Sequence, residues 1–417
     1  MPKRTANWRF WRWARGFFAA SLPAVLLVVS GLGNAVRADD LVRSNSPPPS
    51  ATEAWLEYQE TAYSVFNWSV SITPQSAPFK KEPAAVSGKV VRGILNFGGN
   101  PGNSIPFLWQ RDARKLFLDL NRNQDLTDDP AGVFSTRARE PVYYQTFTNV
   151  HLLFNTATGQ CPVMGDIVLY DYGSQPGCEL TLRSFWQGRV TLHGKDWQAG
   201  IVQNDFRQSA DSFENGHLLL RSWEKRDQAF DTFDGSLDVV PFSRKLFLDG
   251  YAYQLDVIVR PQNGEAKPAL QFTEQSVALG ELKIAGQFIK RLVLPGGSYL
   301  VVLDQPADTV KIPIGSYGPP NVRLEQGGAE AVSSSSQTPS GQRVSVGVQT
   351  PAILVAGGPL TNSVTATRNG RNLQLDYQLI GTGGASYQMA NRDSSRPPAF
   401  AIYKGDKQIA SGNFEFG

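Results

Sequence analysis

The sequence predicts a mainly β protein built from antiparallel β-sandwich domains, with a short N-terminal helix and a small C-terminal sandwich. Three observations lead to this fold class. Gly and Pro together contribute 66 of the 417 residues, short apolar runs alternate with polar residues, and long stretches of helical periodicity are nearly absent. Short strands separated by turn signals are typical of sandwiches and barrels and not of βαβ units.

The first element of the fold is predicted as a helix over residues 51–60. Trp55 and Tyr58 share a face at helical spacing, and Glu53 favours the first turn. Residues 66–72 then alternate apolar and polar side chains, which indicates a half-buried strand. Further strands are predicted at 86–97, 104–110, 115–120, 148–154, 166–172, 179–186, 189–192, 197–202, 217–221, 245–248 and 251–259.

The domain organisation is predicted from changes in composition. The predicted parts are a signal peptide at 1–38, a linker at 39–50, a β-rich region at 51–326, a Ser/Gly-rich linker at 327–342 and a small C-terminal sandwich at 343–417. A division of the β-rich region into two sandwiches near residue 265 is one interpretation. The second linker has almost no bulky apolar side chain. Asn369-Gly370 and Lys404–Lys407 are predicted as hairpin turns.

The N-terminal segment has the pattern of a secretory signal. Five basic side chains precede an apolar run from Gly16 to Gly33, and the small residues Val36 and Ala38 follow. Cleavage is expected after Ala38, so that a mature chain begins at Asp39 in a secreted or periplasmic location. An uncleaved membrane anchor is the alternative, because a run of this length can just span a bilayer.

The charge of the mature chain excludes nucleic acid as a partner. The whole sequence has 40 Lys and Arg against 37 Asp and Glu, and residues 1–38 carry six of the basic and none of the acidic side chains. The remainder has 34 basic against 37 acidic residues, a net charge of −3. A nucleic-acid binder needs a basic patch, and the remainder has none that the sequence reveals.

Cys161 and Cys178 are the two cysteines of the sequence. In an oxidising compartment they predict one disulfide, which would stabilise the fold by roughly 3 kcal/mol. A metal site is the less favoured interpretation, because the C-x-x-C spacing is absent.

An acidic loop follows the predicted strand in RKLFLDLNRNQDLTDDP, residues 114–130. Carboxylates and amides at every second position suit a Ca²⁺ ion, which takes six to eight oxygen ligands. The predicted Ca²⁺ ligands are Asp119, Asn121, Asn123, Asp125, Asp128 and Asp129. Gln124 and Pro130 replace the Gly and Glu of an EF-hand loop. Without the Gly, the sharp turn costs more free energy, and without the Glu, Asp128 or Asp129 must supply the closing carboxylate ligand. The alternative is a run of Asx-turns without any metal.

The stretch RDARKLFLDLNRNQDLTDDPAGVF resembles a loop of secreted β-rich proteins of environmental bacteria, in which Gly commonly stands at the position of Gln124. The segment RVTLHGKDWQAGIVQNDF resembles a strand-turn-strand of the same proteins. Asn204, Asp205, Asp211 and the stretch 227–238 would then be degenerate acidic loops. The resemblance covers about half of the chain. It implies a secreted sandwich without an assigned activity and transfers no catalytic residue.

The hexapeptide RKLFLD occurs a second time, at residues 244–249, where Gly250 and Tyr251 replace the acidic run. This second copy is therefore predicted to form a plain hairpin that binds no ion.

The sequence contains few residues in the spacing of known catalytic motifs. The three histidines, His151, His193 and His217, do not form H-E-x-x-H and are interpreted as structural or surface residues. Paired carboxylates for glycoside hydrolysis would come from Glu224, Asp227, Asp231, Asp234 and Asp238. The aromatic residues Trp186, Trp197, Trp223, Tyr170, Tyr172 and Phe206 suit either a core or a sugar-stacking surface, and a core is favoured.

The resulting functional hypothesis is an exported non-enzymatic β protein with a structural Ca²⁺ loop, which mediates protein or glycan contacts at the cell surface or in the periplasm. The alternative is a secreted hydrolase that acts on polysaccharide or peptide. A membrane is expected as a partner only if the signal segment stays uncleaved.

Overall fold

The chain folds mainly into β-strands, and this confirms the predicted class. The computed structural model describes residues 51–417 except for short gaps at 76–78, 85–87, 99–100, 137–139, 157–158, 174, 204–215, 229, 231–236, 263–264, 339–342, 371, 391–396 and 415–417. The predicted signal peptide and the linker that follows it lie outside the described residues. In the described part of the chain, no helix is both long enough and apolar enough to cross a membrane.

The strands are short, as the turn-rich sequence predicts. The first fourteen are β1 Ala51–Trp55, β2 Glu57–Glu60, β3 Phe66–Pro74, β4 Val90–Asn96, β5 Ile105–Gln110, β6 Lys115–Leu118, β7 Val133–Ser135, β8 Tyr144–Thr156, β9 Gly159–Asp171, β10 Pro176–Leu182, β11 Ser184–Leu192, β12 Lys195–Val202, β13 His217–Ser222 and β14 Val239–Pro241. Single 3-10 turns lie at Pro101–Asn103, Pro130–Gly132, Trp223–Lys225 and Ser335–Gln337.

The second half of the chain has the same character. Its strands are β15 Lys245–Leu248, β16 Tyr251–Gln262, β17 Glu265–Gln275, β18 Leu279–Ile284, β19 Ile289–Leu294, β20 Leu300–Asp304, β21 Thr309–Pro313, β22 Gly315–Tyr317, β23 Asn321–Gln326, β24 Ala329–Ser333, β25 Val344–Val346, β26 Ala352–Leu354, β27 Thr361–Asn369, β28 Asn372–Ile380, β29 Ser386–Met389, β30 Ala399–Lys404 and β31 Lys407–Asn413.

Three larger sheets organise the described residues. The eight-stranded sheet has the order β7-β6-β5-β4-β3-β10-β9-β8, and the five-stranded sheet has the order β14-β13-β12-β11-β2. The eleven-stranded sheet has the order β1-β17-β16-β15-β20-β19-β23-β24-β29-β28-β27. The sets β21-β18-β26, β22-β25 and β30-β31 form smaller sheets. Nearly all neighbouring strands are antiparallel, with β15-β20 and β18-β26 as parallel pairs.

Three apolar cores lie between these layers, so the sheets pack as stacked sandwiches. The first core joins the eight-stranded sheet to one face of the five-stranded sheet. The second core lies between the other face of the five-stranded sheet and the eleven-stranded sheet. The third core joins the opposite face of the eleven-stranded sheet to the small sheets. Strand β13 shows the division, because Leu219 enters the first core and Leu218 and Leu220 enter the second.

The helix predicted over residues 51–60 is wrong, because this stretch forms β1 and β2. Ala54 and Leu56 are buried two residues apart, which is the period of a strand and not of a helix. Tyr58 lies opposite Trp186 on β11, with ring centroids 5.6 Å apart. Strand β1 pairs with β17 and β2 pairs with β11. These two long-range pairings decide the conformation against the local signal.

The disulfide predicted between Cys161 and Cys178 is also wrong. Both cysteines are free and buried. They lie on neighbouring strands, but Cys178 pairs with Leu169, eight residues along β9 from Cys161. At roughly 3.3 Å per residue the register separates the two cysteines by about 26 Å, whereas the Cα atoms of a disulfide lie within about 7 Å.

Parts of the C-terminal segment pair with earlier strands. Strand β25 pairs with β22, β26 with β18 and β29 with β24. The stretch 327–342, predicted as a linker, contains β24, which is antiparallel to β23. The predicted hairpins at Asn369-Gly370 and Lys404–Lys407 are confirmed by the pairs β27-β28 and β30-β31. The domain boundaries themselves stay predictions.

The two copies of RKLFLD form strands with the same burial pattern, β6 and β15. After β15, Asp249 and Gly250 have positive φ angles of 44° and 100° and form a two-residue turn into β16. Two successive positive φ angles are typical of a type I′ turn. The predicted hairpin of the second copy is therefore confirmed.

The cysteines yield a first testable prediction. Burial raises the pKa of the Cys161 thiol to about 12 and also raises the pKa of Cys178. Thiols that are buried and protonated react slowly with alkylating reagents. We expect iodoacetamide to add no label to the native protein and two labels after unfolding without a reductant. If the protein takes up no label after unfolding without a reductant, the two cysteines form a disulfide after all.

A second prediction concerns acid stability. The His217 ring lies 4.3 Å from Phe66, and burial lowers its pKa to about 4. Between the ordinary pKa of about 6.5 and this value, the unfolded state binds more protons, so stability falls as pH falls through that window. Urea unfolding at pH 7 and at pH 4 measures this effect. On going from pH 7 to pH 4, the free energy of unfolding of the native chain should fall by roughly 2–3 kcal/mol more than that of His217→Gln. Equal losses in the two proteins would contradict the assignment.

Candidate functional site

Asp119 is the centre of the loop at residues 119–129. It follows β6, and its exposed fraction is 0%. Its carboxylate accepts hydrogen bonds from the backbone N–H groups of Asn123, at 3.1 Å, and Gln124, at 2.9 Å. Its own N–H donates to the carbonyl of Pro106 at 2.9 Å. Charge-assisted hydrogen bonds from inside the turn therefore hold the loop against the sheet.

A run of Asx-turns explains the polar residue at every second position. The side-chain oxygen of Asn121 accepts the N–H of Asn123 at 3.0 Å, and the oxygen of Asn123 accepts the N–H of Asp125 at 2.7 Å. Asp125 in turn accepts the N–H of Thr127 at 2.8 Å. Each side chain thus mimics one step of a backbone turn. These bonds use one lone pair of each amide oxygen and leave a second for another ligand.

Asp128 closes the loop from its far side. Its two carboxylate oxygens accept one side-chain N–H each, from Asn121 at 3.2 Å and from Asn123 at 2.7 Å. The two asparagines therefore connect the backbone turns to this carboxylate. Five of the six predicted ligands therefore belong to one hydrogen-bonded network, because Asn123 contacts Asp119, Asn121, Asp125 and Asp128.

Asp129 is a partly enclosed carboxylate of the loop whose pKa is raised. It is 9% exposed and accepts the N–H of Leu120 at 3.1 Å. Burial raises its pKa, and repulsion from Asp119 and Asp128 raises it further, against the lowering effect of backbone hydrogen bonds. Like charges therefore add to the effect of burial at this carboxylate.

Arg122 is the cation within the loop itself, but it is directed at carbonyl groups. Its guanidinium donates to the carbonyls of Leu120, at 3.1 Å, and Leu153, at 3.2 Å. Burial lowers its pKa, and the charge of Asp119 opposes that effect. Arg122 and Gln124 have positive φ angles of 62° and 70°. The left-handed conformation at Gln124 explains why Gly is the usual residue at that position of the motif.

Lys81 contacts the loop from a distant part of the chain, which the sequence analysis missed. Its ammonium lies 3.3 Å from a carboxylate oxygen of Asp125. Its backbone N–H donates to Gln124, and its carbonyl accepts the N–H of Leu126. Hydrogen bonds from Thr127, with help from Lys81, lower the pKa of Asp125. Asp125 is therefore neutralised by protein groups, and no spacing in the sequence indicates this partner.

The side chains of the loop are not arranged around a metal position. Within residues 51–417, outside the gaps given above, no group of three or more His, Cys, Asp or Glu side chains is already arranged to hold a metal ion. The donor set is nevertheless of the oxygen type that Ca²⁺ takes. Binding would require Asn121 and Asn123 to turn their N–H groups away from Asp128. The six predicted ligands thus remain a prediction.

The acidic residues of the hydrolase alternative are scattered or already paired. Asp231 and Asp234 lie outside the described residues. Asp227 is exposed and forms an ion pair with Arg226 at 3.1 Å. Asp238 is buried and accepts a hydrogen bond from an arginine at 3.4 Å. Glycosidases need two carboxyl groups across a cleft, one of them with a raised pKa, and the described residues of this set do not show that arrangement.

The three histidines occupy separate places. His151 lies 3.3 Å from Glu60, and His193 lies 3.2 Å from Glu274. His217 contacts a phenylalanine ring at the start of β13. Among the described contacts none of the three pairs with a serine or cysteine side chain, which nucleophilic catalysis of the triad type requires.

Aromatic residues divide between core and surface. Trp197 is 1% exposed in the second core, which confirms the favoured interpretation for that residue. Phe206 lies outside the described residues. Tyr172, in contrast, is 69% exposed. The sequence pattern did not distinguish these cases, although Trp197 lies within β12 and Tyr172 follows the end of β9.

A surface cluster of tyrosines lies where β8 begins and β9 ends. We name it the tyrosine patch, and its residues are Tyr143, Tyr144, Tyr170 and Tyr172. Ring centroids are 5.7 Å apart for Tyr143 and Tyr172 and 5.6 Å apart for Tyr170 and Tyr172. Tyr170 lies across Gly177 on β10, where an added Cβ would stand 2.2 Å from the ring. The glycine therefore makes room for a ring that lies along the sheet.

Comparison of the chain with known proteins adds no assignment. No protein-family model, no curated protein and no solved structure matches this chain. The resemblance to secreted β-rich bacterial proteins accordingly stays a prediction, and the function has to be argued from the geometry of the molecule.

Proposed function

We propose that this chain is an exported non-enzymatic β protein whose loop at 119–129 binds Ca²⁺ for structural stability. The observation that carries the proposal is the network of oxygen side chains in this loop, which contains the carboxylates Asp119, Asp128 and Asp129 together with Asn121 and Asn123. Burial raises the pKa of Asp129, and the charges of Asp119 and Asp128 add to that effect. Within the described part of the chain, none of the three forms an ion pair with Lys or Arg. A divalent cation would supply the positive charge that these carboxylates lack.

The loop also has a structural reason to be held in one conformation. Leu126 packs with Leu108 and Phe117 in a small apolar cluster on the outer side of the eight-stranded sheet. Its backbone is tied to Lys81 by hydrogen bonds. An ion that fixes the loop would keep Leu126 over the sheet. A modest affinity suffices in an exported protein, because extracellular Ca²⁺ modules bind at roughly 10⁻⁴ to 10⁻³ M.

Calcium should therefore stabilise the native chain. We expect millimolar Ca²⁺ to raise the Tm by about 2 °C or more, since a ligand that binds only the folded state stabilises it by mass action. In Asp128→Asn the rise should be largely lost. This substitution removes one charge while keeping the size of the side chain. Differential scanning calorimetry with CaCl2, and with MgCl2 for comparison, measures both effects.

Asp406→Asn is the matched control, because Asp406 is an exposed acid in the turn between β30 and β31. Its Tm rise should equal that of the native chain. Asp119→Asn is a poorer test, because its amide keeps one accepting oxygen and would place an NH2 group against the other of the two backbone N–H donors that the carboxylate now binds, which would weaken the fold itself. If titration calorimetry detects no Ca²⁺ binding, or if Asp128→Asn shows the same Tm rise as the native chain, the Asx-turn alternative stands.

For the second part of the function, we propose glycan contacts at the tyrosine patch. Tyr143, Tyr144 and Tyr172 are 44%, 38% and 69% exposed, so the patch presents three aromatic rings to solvent. Aromatic rings stack on the apolar faces of sugars, and a phenolic hydroxyl adds a hydrogen-bonding group at the rim. Contiguous exposed aromatic surface of this kind marks an interaction site.

Affinity electrophoresis tests the patch. We expect gels that contain a neutral β-glucan, a galactomannan or an acidic polygalacturonan to retard the native chain in at least one case. Tyr172→Ala should migrate as if the polysaccharide were absent, because the most exposed ring is gone. Tyr403→Ala removes a ring that is 59% exposed elsewhere and should not change the retardation. Free migration of the native chain in all three gels would refute glycan binding.

A further inference from the structure

A cavity of about 380 Å³ opens between the five-stranded and eleven-stranded sheets at one end of the second core. We name it the charged cavity. All of its lining residues are polar or charged. Its basic members are Lys195, Arg221, Lys225, Lys290, Arg291 and Arg323, against three acidic members. The lining therefore has a net charge of +3. Pockets for small ligands have volumes of about 300–1,000 Å³.

Two arginines stand where the apolar core would otherwise continue. Val293 on β19 enters the second core, and Arg291 lies two residues before it on the same face. Arg291 pairs in register with Arg323 on β23, and both residues are 4% exposed. Like charges directly opposite each other on neighbouring strands are destabilising. Such a pair persists where surrounding groups or a ligand compensate the charge.

Protein groups compensate part of this charge. Asp304 accepts a hydrogen bond from Arg291 at 2.8 Å and contacts Lys195 at 3.1 Å. Asp238 lies 3.4 Å from Arg323. Burial raises the pKa of Asp304, but Arg291 and Lys195 outweigh it, and the pKa is lowered overall. Buried Asp238 and partly buried Asp304 thus serve Arg323 and Arg291 and leave little negative charge for the rest of the lining.

Arg221 makes its contacts without a carboxylate among the described residues. Its Nε donates to Gln198 at 2.6 Å, and its Nη2 donates to the carbonyls of Arg226 and Gln228 at 3.0 and 3.1 Å. Burial lowers its pKa. Its charge is therefore hydrogen-bonded but not neutralised by direct contact.

Lys225 is the second cation of this kind. It ends the single turn Trp223–Lys225 and is half-buried at the cavity. Within the described residues its ammonium forms no ion pair, although Glu224 lines the same cavity. Burial lowers its pKa, and so do the charges of Arg323 and Lys290, against the opposing effect of Asp238 and Glu330. Lys290 itself has Glu325 and Glu330 as partners.

If the lining had only a structural role, we would expect each of its cations to be paired with a carboxylate or replaced by a neutral residue. Asp304 with Arg291, and Asp238 with Arg323, fit that role, and Arg291 also reaches the five-stranded sheet through the carbonyl of Leu220. Lys225 does not fit it, because it brings a half-buried ammonium beside other cations. Ser222 and Gln305 add neutral hydrogen-bonding groups to the lining. The cavity thus offers positive charge and hydroxyl partners, without an apolar wall.

We propose that the charged cavity binds a small hydroxylated oxyanion, such as a sugar phosphate, sugar sulfate or uronate, and that the ammonium of Lys225 contacts its anionic group. The volume exceeds that of a bare inorganic ion and suits a single sugar ring. Arg221 supplies the remaining positive potential, and Ser222 and Gln305 meet ring hydroxyls. This site is independent of the Ca²⁺ loop and of the tyrosine patch.

Titration calorimetry on the full chain tests the site. The probes are glucose 6-phosphate, glucose 6-sulfate and glucuronate, with neutral glucose as the comparison and NaCl to hold ionic strength constant. We expect at least one anionic probe to bind and glucose to show no binding. Lys225→Gln should weaken that binding about ten-fold or more, since a charge-assisted hydrogen bond is lost. Which probe binds identifies the anionic group.

Lys115→Gln is the matched control, because it makes the same change at an exposed position on β6. Its affinity should equal that of the native chain. Lys225→Gln should also raise the Tm without any probe, because it removes a cation that Arg323 and Lys290 repel. Binding of no anionic probe, or equal weakening in Lys225→Gln and Lys115→Gln, would overturn the proposal. A lower probe-free Tm in Lys225→Gln would likewise assign that lysine a structural role instead.

Discussion

The alternation of side chains along the eleven-stranded sheet is the constraint on which the rest of the structure depends. Leu246 and Leu248 enter the second core, while Phe247 between them enters the third. Val302 and Val301 on β20 divide in the same way. Because both faces are covered, a shift of one residue in register would exchange the side chains of the two cores. The sheet therefore determines the positions of the layers on both of its sides.

The charged cavity lies where this arrangement stops being apolar. Strand β19 continues the inward face of Val293 with Arg291, and β20 continues that of Val302 with Asp304. Burying charges costs free energy unless they are paired and hydrogen-bonded. Arg291 meets this condition through Asp304 and through the carbonyls of two leucines on the five-stranded sheet and beside it. The same contacts that join the sheets also keep a polar space open between them.

The two copies of RKLFLD show how far a local sequence controls its surroundings. Both form a short strand with the same burial pattern. Asp249 is followed by Gly250, and the chain turns at once into β16, while Asp249 contacts Lys195. Asp119 is followed by a longer polar run, and its carboxylate is enclosed by backbone N–H groups. The residue after the aspartate therefore decides between a hairpin and a wrapped loop.

The sequence by itself determined the β class, most strand positions, the hairpin turns and the turn-forming character of residues 119–129, because alternation and Asx-turn chemistry act between near neighbours. Tertiary structure decided the rest. Long-range pairing made strands of the predicted helix at 51–60, and the register between β9 and β10 separated Cys161 from Cys178. The charged cavity was not predictable, because its residues come from strands between Lys195 and Arg323 that only sheet packing brings together.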